Sequence, residues 1–387
     1  MEIITEQSTK IYADTGKTIS KKLDVFYNPI MKLNRDISVL LLNAIKKKDM
    51  QIADIMAGSG IRSIRFLKEL EPGKIKTLFI NDYKKNFYNN IKNNFKLNKI
   101  ISNNTDNSNN KIINNYKIIL SNEDANLFLL NSRGFDYIDI DPFGTPNYFL
   151  DTAIKRISRD GILAVTATDT AALTGTHELV TNRKYWAKSM KNEMMHELGI
   201  RILIRKVQIV GAQYEKALIP LLSFADKHYY RIFFQCIKGK KEVDKVIREH
   251  KYFLYNPKNV EFNTSEHNLY KNSLYAGPLW VGNLSDFELI SLMLKLKNIN
   301  SYPEAIKLLE LLKEESKINI VGFYDVHKIV KNYKIKSLPK KEIIITEIRK
   351  KGFNAFGTHF SGHGIKSNID IMTLIKIIKE LVKKVTK

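Results

Sequence analysis

Short apolar runs alternate with amphipathic stretches over residues 35–166, and the alternation predicts a sheet flanked by helices. A helix is expected over 35–45, with Ile37, Leu40, Leu41 and Ala44 on one face and Asn34 as its cap. Strands are expected at 51–56, 77–82, 117–120, 136–141 and 161–166, with helices between them. Strands spaced in this way pair in parallel, which makes the fold α/β with a mostly parallel, doubly wound sheet. Residues 1–25 mix Lys, Asp and Thr and read as extended or hairpin-like, and the Asn-rich 103–115 as a surface insertion. Further on, a long helix is expected at 183–198 and strands at 202–210 and 229–237. Composition shifts near Pro257. Amphipathic helices follow at 286–297, 303–316, 325–331 and 342–350, then loop and short strands within 353–365, then a basic helix from Ile369. Two domains are expected, 1–258 and a smaller α+β domain at 259–387.

A length of 387 residues suits two domains. The balance of 63 basic against 40 acidic residues gives a net charge of +23, which favours a polyanionic partner such as nucleic acid over mere codon bias toward Lys. A single cysteine, Cys236, excludes an intramolecular disulfide and any multi-cysteine zinc site, and it sits in an apolar strand pattern. The first twenty residues are polar, and runs such as Val39-Leu40-Leu41-Leu42 are too short to span a bilayer. A soluble, cytoplasmic chain is expected, with no membrane contact and no obligate protein partner.

The chemistry concentrates at strand ends. Asp139-Ile140-Asp141-Pro142-Phe143-Gly144-Thr145-Pro146 carries an acid, a proline and an aromatic where open α/β sheets bind ligands. Asp141 and the Pro142 carbonyl can accept from the exocyclic amine of a planar base while Phe143 stacks on its ring. The plainer reading is a structural turn. Gly58-Ser59-Gly60 between a strand and a helix allows close approach of a nucleoside cofactor, but lacks the third small residue of a dinucleotide fingerprint and the Lys of a Walker loop. Asp82 closes the next strand, where a carboxylate takes both hydroxyls of a ribose, and Asp124 with Ala125 closes the third, beside an adenine. A dinucleotide oxidoreductase uses the ribose acid but not Asp141-Pro142-Phe143. S-adenosylmethionine accounts for all of them. Methylation of a pyrimidine at carbon 5 requires a cysteine nucleophile, for which Cys236 is badly placed; an exocyclic nitrogen needs only positioning and hydrogen-bond acceptance.

The chain resembles the tRNA (guanine(26)-N(2))-dimethyltransferases over nearly its whole length. The resemblance rests on Val25-Phe26-Tyr27-Asn28-Pro29, Asn34-Arg35-Asp36-Ile37-Ser38-Val39, Asp54-Ile55-Met56-Ala57-Gly58-Ser59-Gly60-Ile61-Arg62 and the Asp139–Pro146 segment. It continues in Asn192-Glu193, His196-Glu197-Leu198, Gly277-Pro278-Leu279-Trp280 and Thr358-His359-Phe360-Ser361. It implies a class I Rossmann-like methyltransferase domain followed by a family-specific domain that grips tRNA. Arg35, Asp54, Gly58, Gly60, Arg62, Asp82, Asp124 and Ala125 are then expected to bind S-adenosyl-L-methionine. Asp141 is expected to be the catalytic carboxylate, with Pro142 beside it, and Phe26 and Phe143 to hold the guanine between them. Many relatives carry a cysteine-based zinc cluster that this chain lacks, so no metal is expected; Gly357 stands where relatives commonly have Arg. His359 and His363, four residues apart, are read as structural or near RNA phosphate. The basic tail (Lys379, Lys383, Lys384, Lys387) is read as a solvated face. Other acceptors left open are guanine N2 elsewhere in tRNA and adenine N6, and, outside enzymes, a tRNA-binding chaperone with a vestigial pocket.

Overall fold

A computed structural model describes residues 2–14, 25–100, 110–113, 116–268 and 274–385. Strands β1 (Glu2–Glu6) and β2 (Thr9–Ala13) form an antiparallel hairpin, the extended structure expected at this end. The helix expected after Asn34 starts earlier. A 3-10 turn at Pro29–Met31, capped by Asn28 Oδ1 on the Ile30 N–H at 3.0 Å, leads straight into α1 (Lys32–Ala44). Asn34 therefore lies inside the helix, where its Nδ2 donates to Thr166 Oγ1 at 3.1 Å.

The chain then alternates as the pattern predicts. The elements are β3 (Met50–Asp54), α2 (Ile61–Glu69), β4 (Ile75–Asn81), α3 (Phe87–Leu97), β5 (Asn110–Ile113), β6 (Tyr116–Ser121), α4 (Ala125–Asn131), β7 (Phe135–Ile140), α5 (Asn147–Arg156) and β8 (Ile157–Ala167). Part of the Asn-rich stretch is β5, an edge strand antiparallel to β6. The remainder of that stretch, residues 15–24 of the N-terminal stretch, and Lys387 of the basic tail lie outside the described residues.

After β8 the structure departs from the sequence reading. A short α6 (Thr170–Leu173) comes first, and the helix expected at 183–198 is two: α7 (Glu178–Tyr185) is stopped by Trp186, whose φ of 53° is left-handed, and α8 (Met195–Ala212) begins nine residues later. The expected strand at 202–210 is the body of α8. Arg205, Lys206 and Gln208 interrupt its otherwise apolar run, but the helix packs against both β9 (Lys216–Asp226) and β13 (Leu274–Trp280), so apolar residues occupy more than one face and blur the helical period. Strand β9 was not foreseen; β10 (Tyr229–Lys238) was.

These strands build an eight-stranded sheet in the order β5-β6-β4-β3-β7-β8-β10-β9. β6, β4, β3, β7 and β8 run parallel, whereas β10 is antiparallel to both of its neighbours. From β3 the winding proceeds through β4 to β6 on one side and through β7 to β8 on the other. The carboxyl ends of β3 and β7 thus flank the switch point where such sheets bind ligands.

The rest of the chain is α9 (Lys240–Arg248), β11 (His250–Asn256), β12 (Glu261–Ser265), β13, α10 (Phe287–Met293), α11 (Pro303–Glu315), β14 (Tyr324–Asp325), α12 (Val326–Asn332), α13 (Lys341–Lys350), β15 (Ala355–Thr358), β16 (Ser361–Ser367) and α14 (Ile371–Val385). They contribute two small sheets, β12-β11-β13 and β14-β16-β15. The first has one strand before residue 258 and two after it. α10 and α11 pack on α1 through Leu289, Ile290, Leu309 and Leu312. A buried ion cluster also crosses: Lys366 Nζ reaches Glu197 at 2.7 Å, and His359 Nδ1 meets Glu315 at 2.6 Å. Burial opposes charge on Glu315, yet His359 and Lys366 overcome it and hold its carboxyl down to about 2. His359 is thus committed to a carboxylate, and His363 meets His327 edge to face, with ring centroids 4.0 Å apart. Among the described residues no helix is long and apolar enough to cross a membrane, and no group of three or more His, Cys, Asp or Glu is arranged to hold a metal ion.

Candidate active site

A cavity of about 390 Å³ opens at the switch point. Its lining brings together Phe26, Arg35, Asp54, Gly58, Arg62, Asp82, Asp124, Ala125, Asp141, Pro142 and Phe143, which the sequence scatters over more than a hundred positions. The volume falls in the range of small-molecule sites, about 300–1,000 Å³. Gly60 is the exception: it does not line the cavity. It ends the glycine turn at φ 77°, and a Cβ there would lie 2.0 Å from Ile91 Cδ1, so its task is to let α2 start tight against α3.

Backbone donors fix Asp82 and Asp124. Asp82 accepts the Gly58 N–H at 2.8 Å and the Lys84 N–H at 3.0 Å, which ties the glycine turn after β3 to the end of β4. Two of its lone-pair sites remain for a ligand. Asp124 caps α4 through one oxygen, accepting from Asn126 and Leu127, and leaves the other facing solvent. Asp54 is buried and accepts from Ser63 Oγ at 2.7 Å; burial pushes its carboxyl up to about 7, against the pull of Arg62. Four carboxylates face two guanidiniums and the Lys84 ammonium, a lining without the excess of positive charge that a pyrophosphate would call for.

Beneath Asp141 lies a buried charge network. Arg62 Nη2 donates to Asp141 Oδ2, and its Nη1 reaches Asn34 Oδ1 at 3.0 Å, Ser38 Oγ at 3.1 Å and Asp139 at 3.2 Å. Asp139 also takes both Arg231 nitrogens, at 2.9 and 2.7 Å, and the Tyr137 hydroxyl at 2.6 Å. Burial opposes the charge on Asp139, yet Arg231 and Arg62 hold its carboxyl below the usual range. The loop beyond is pinned as well. Gly144 N–H donates to Thr168 Oγ1 at 2.6 Å, Thr168 N–H returns to the Gly144 carbonyl at 2.9 Å, and Thr145 meets the buried Tyr185 hydroxyl at 3.0 Å.

The N-terminal hairpin closes the opposite wall. Glu6 accepts from Arg35 Nε and Nη2 at 2.8 and 2.6 Å, from Arg65 at 2.8 Å, and from the Tyr27 hydroxyl at 2.9 Å. Arg35 then donates to the Asn28 carbonyl at 3.0 Å. This grip seats Phe26 against Gly58 and against Phe143. The two rings meet edge to face, with centroids 4.5 Å apart at 64°. A flat base sandwiched between them needs about 7 Å, twice a van der Waals contact, so in this conformation the aromatics touch rather than leave a slot. Half of Phe143 is exposed. Sequence reasoning missed Tyr83 and Lys84, which line the mouth and directly follow Asp82, an adjacency that was visible. Glu6, Asp139 and Arg231 carried no signal, because their partners lie far away in the chain.

Residues 5–379 match the sequence model of the N2,N2-dimethylguanosine tRNA methyltransferases. The chain is 37% identical to the tRNA (guanine(26)-N(2)/guanine(27)-N(2))-dimethyltransferase of Aquifex aeolicus, covering 98% of this chain and 96% of that one. It is 38% identical to the tRNA (guanine(26)-N(2))-dimethyltransferase of Methanocaldococcus jannaschii, covering 95% of each. Its structure superposes on Trm1 of Pyrococcus horikoshii, solved with S-adenosyl-L-methionine, with a TM-score of 0.86 at 33% identity, over 98% of this chain and 100% of the other. With the switch-point cavity, the acid at each strand end and a match of this length, the chain belongs to the N2,N2-dimethylguanosine tRNA methyltransferase family.

Proposed function

We propose that this chain transfers methyl groups from S-adenosyl-L-methionine to the exocyclic N2 of guanine 26 in tRNA, giving N2,N2-dimethylguanosine by two successive transfers. The observation that carries the reading is the convergence of Asp141-Pro142-Phe143 with Gly58, Asp82 and Asp124 on one acidic cavity. Bound there, the cofactor supplies an electrophilic methyl on a sulfonium. Asp82 takes the ribose hydroxyls, Asp124 and Ala125 the adenine edge, and Arg35, Asp54 and Arg62 the methionine end. Asp141 and the Pro142 carbonyl accept the N2–H bonds and Phe143 covers the ring, once it has parted from Phe26. Asp141 receives the proton shed as the amine gains its methyl. Residues 259–387 form the part that grips the tRNA, and the reaction belongs in the cytoplasm, where its substrate is. Nucleoside mass spectrometry of a tRNA transcript after reaction tests this: N2,N2-dimethylguanosine from position 26 is expected, and N6-methyladenosine alone would refute it.

Two consequences follow from named groups. Asp54, ionising near 7 when free, is held ionised by the cofactor's ammonium, so binding releases a proton. Below pH 7 the cofactor Kd therefore rises about tenfold per unit, a dependence that Asp54→Asn removes; calorimetry showing a flat Kd from pH 5.5 to 8 contradicts the pairing. Phe143→Ala weakens the tRNA-bound state by about 1–3 kcal/mol, the range for an aromatic–base stack. Steady-state kinetics with an unchanged kcat/KM for tRNA count against the stack.

A further inference from the structure

Outside the cavity, one cluster sets two cations against an aromatic with no acidic partner among the described residues. Trp186 is half exposed at the end of α7, in a left-handed conformation. Two consecutive cations of α8 converge on it. Lys206 places its ammonium 3.1 Å from the centre of the indole ring, and Arg205 Nη1 donates to the Trp186 carbonyl at 3.2 Å. Lys206 is 6% exposed, and among the described residues no carboxylate pairs with it or with Arg205. The Arg205 Nε is buried without any partner. Burial, with Arg205 beside it, pushes the Lys206 ammonium down to about 8. Two adjacent, unneutralised cations under an aromatic plate are costly in a free protein, and a phosphate would neutralise them.

The cluster is also wired to the cavity. Tyr185, next in the chain, is buried against Thr145 and donates to Asp169 at 2.7 Å, and Asn147 Nδ2 donates to the Lys184 carbonyl at 2.8 Å. Asn147 opens α5, whose Tyr148 lines the cavity mouth and is 74% exposed. Farther out, Lys188 lies 4.7 Å from the Tyr275 ring and 3.3 Å from Glu178, the one acid at this edge in contact with it. An aromatic platform over cations, leading from the mouth of a base-accepting cavity, is how single-stranded nucleic acid is held.

We propose that Trp186, with Arg205 and Lys206 behind it, is a second nucleotide-binding site, which stacks an unpaired base of the tRNA on its outer face and neutralises the adjoining phosphate. The inference rests on the tRNA reading above and adds the residues that hold RNA away from the reacting guanine. The second tryptophan of the chain, Trp280, is 6% exposed and shielded from contact with RNA, so quenching by bound RNA reports on Trp186. Titrating the full-length protein with tRNA transcript should quench the emission, and Trp186→Phe should remove most of that quench while keeping Kd within threefold. Trp186→Ala should raise the tRNA Kd roughly 5- to 150-fold, the equivalent of one lost base stack, and Lys206→Met should lower the salt slope of binding by about one. Cofactor Kd and kcat at saturating tRNA should stay within threefold of wild type. A Trp186→Ala chain that binds tRNA as wild type does, with the wild-type enzyme still methylating guanine 26, overturns the platform and leaves the function standing. A wild-type chain that leaves guanine 26 unmethylated in the same assay overturns both.

Discussion

Replacing Asp141 by Asn is expected to lower kcat by about 10²- to 10⁴-fold, the usual contribution of a positioned acid–base group, while the cofactor Kd stays within threefold. The substitution keeps the shape of the side chain and one acceptor oxygen but removes the negative charge. Arg62 can still donate to that oxygen and retains Asn34, Ser38 and Asp139, so the fold and the cavity wall beside Arg62 stay in place. Loss of turnover with intact cofactor binding would separate Asp141 from the acids proposed to hold the adenosine. Single-turnover rates with saturating tRNA make the comparison directly. A kcat within threefold of wild type would remove Asp141 from the chemistry.

Asp139→Ala should be the most destabilising single change near the site, by about 3–5 kcal/mol, the cost of leaving buried charge uncompensated. The carboxylate is 1% exposed and holds two buried guanidiniums and a tyrosine hydroxyl at once. Its lowered ionisation sets the sign of the pH effect. The stabilisation is fully present above the ordinary carboxylate range and is lost as acid protonates Asp139, so the gap between wild type and variant should narrow on acidification. Urea unfolding at neutral and acidic pH measures both; a loss under 1 kcal/mol at pH 7 would mean the network is not holding α2, β7 and β10 together.

The parallel core was legible because short apolar runs alternate with helical patterns over 35–166, and Asp82, Asp124 and Asp141 follow the ends of β4, β6 and β7. Their convergence on one cavity follows from topology alone, once β3 is placed between β4 and β7. What escaped the sequence has physical causes. Pro220 disguised β9, since a proline is tolerated only on an edge strand, and β9 is indeed the edge, shifted by a bulge at Phe233/Phe234. The apolar 202–210 run looked like a strand because α8 is buried between two sheets. Trp186 broke a helical pattern with a left-handed residue that nothing in its neighbours announces. The Asp139–Arg231 and Glu6–Arg65 pairs join residues 92 and 59 positions apart, beyond the reach of any local pattern.

The central claim is that the group methylated is an exocyclic amine presented to Asp141. It is tested most directly by the methyl count on two tRNA transcripts that differ at position 26, one with guanine and one with inosine, which lacks only that amine. With labelled S-adenosyl-L-methionine in excess, two methyls should enter each guanine transcript and none the inosine transcript. Comparable incorporation into the inosine transcript would contradict the account.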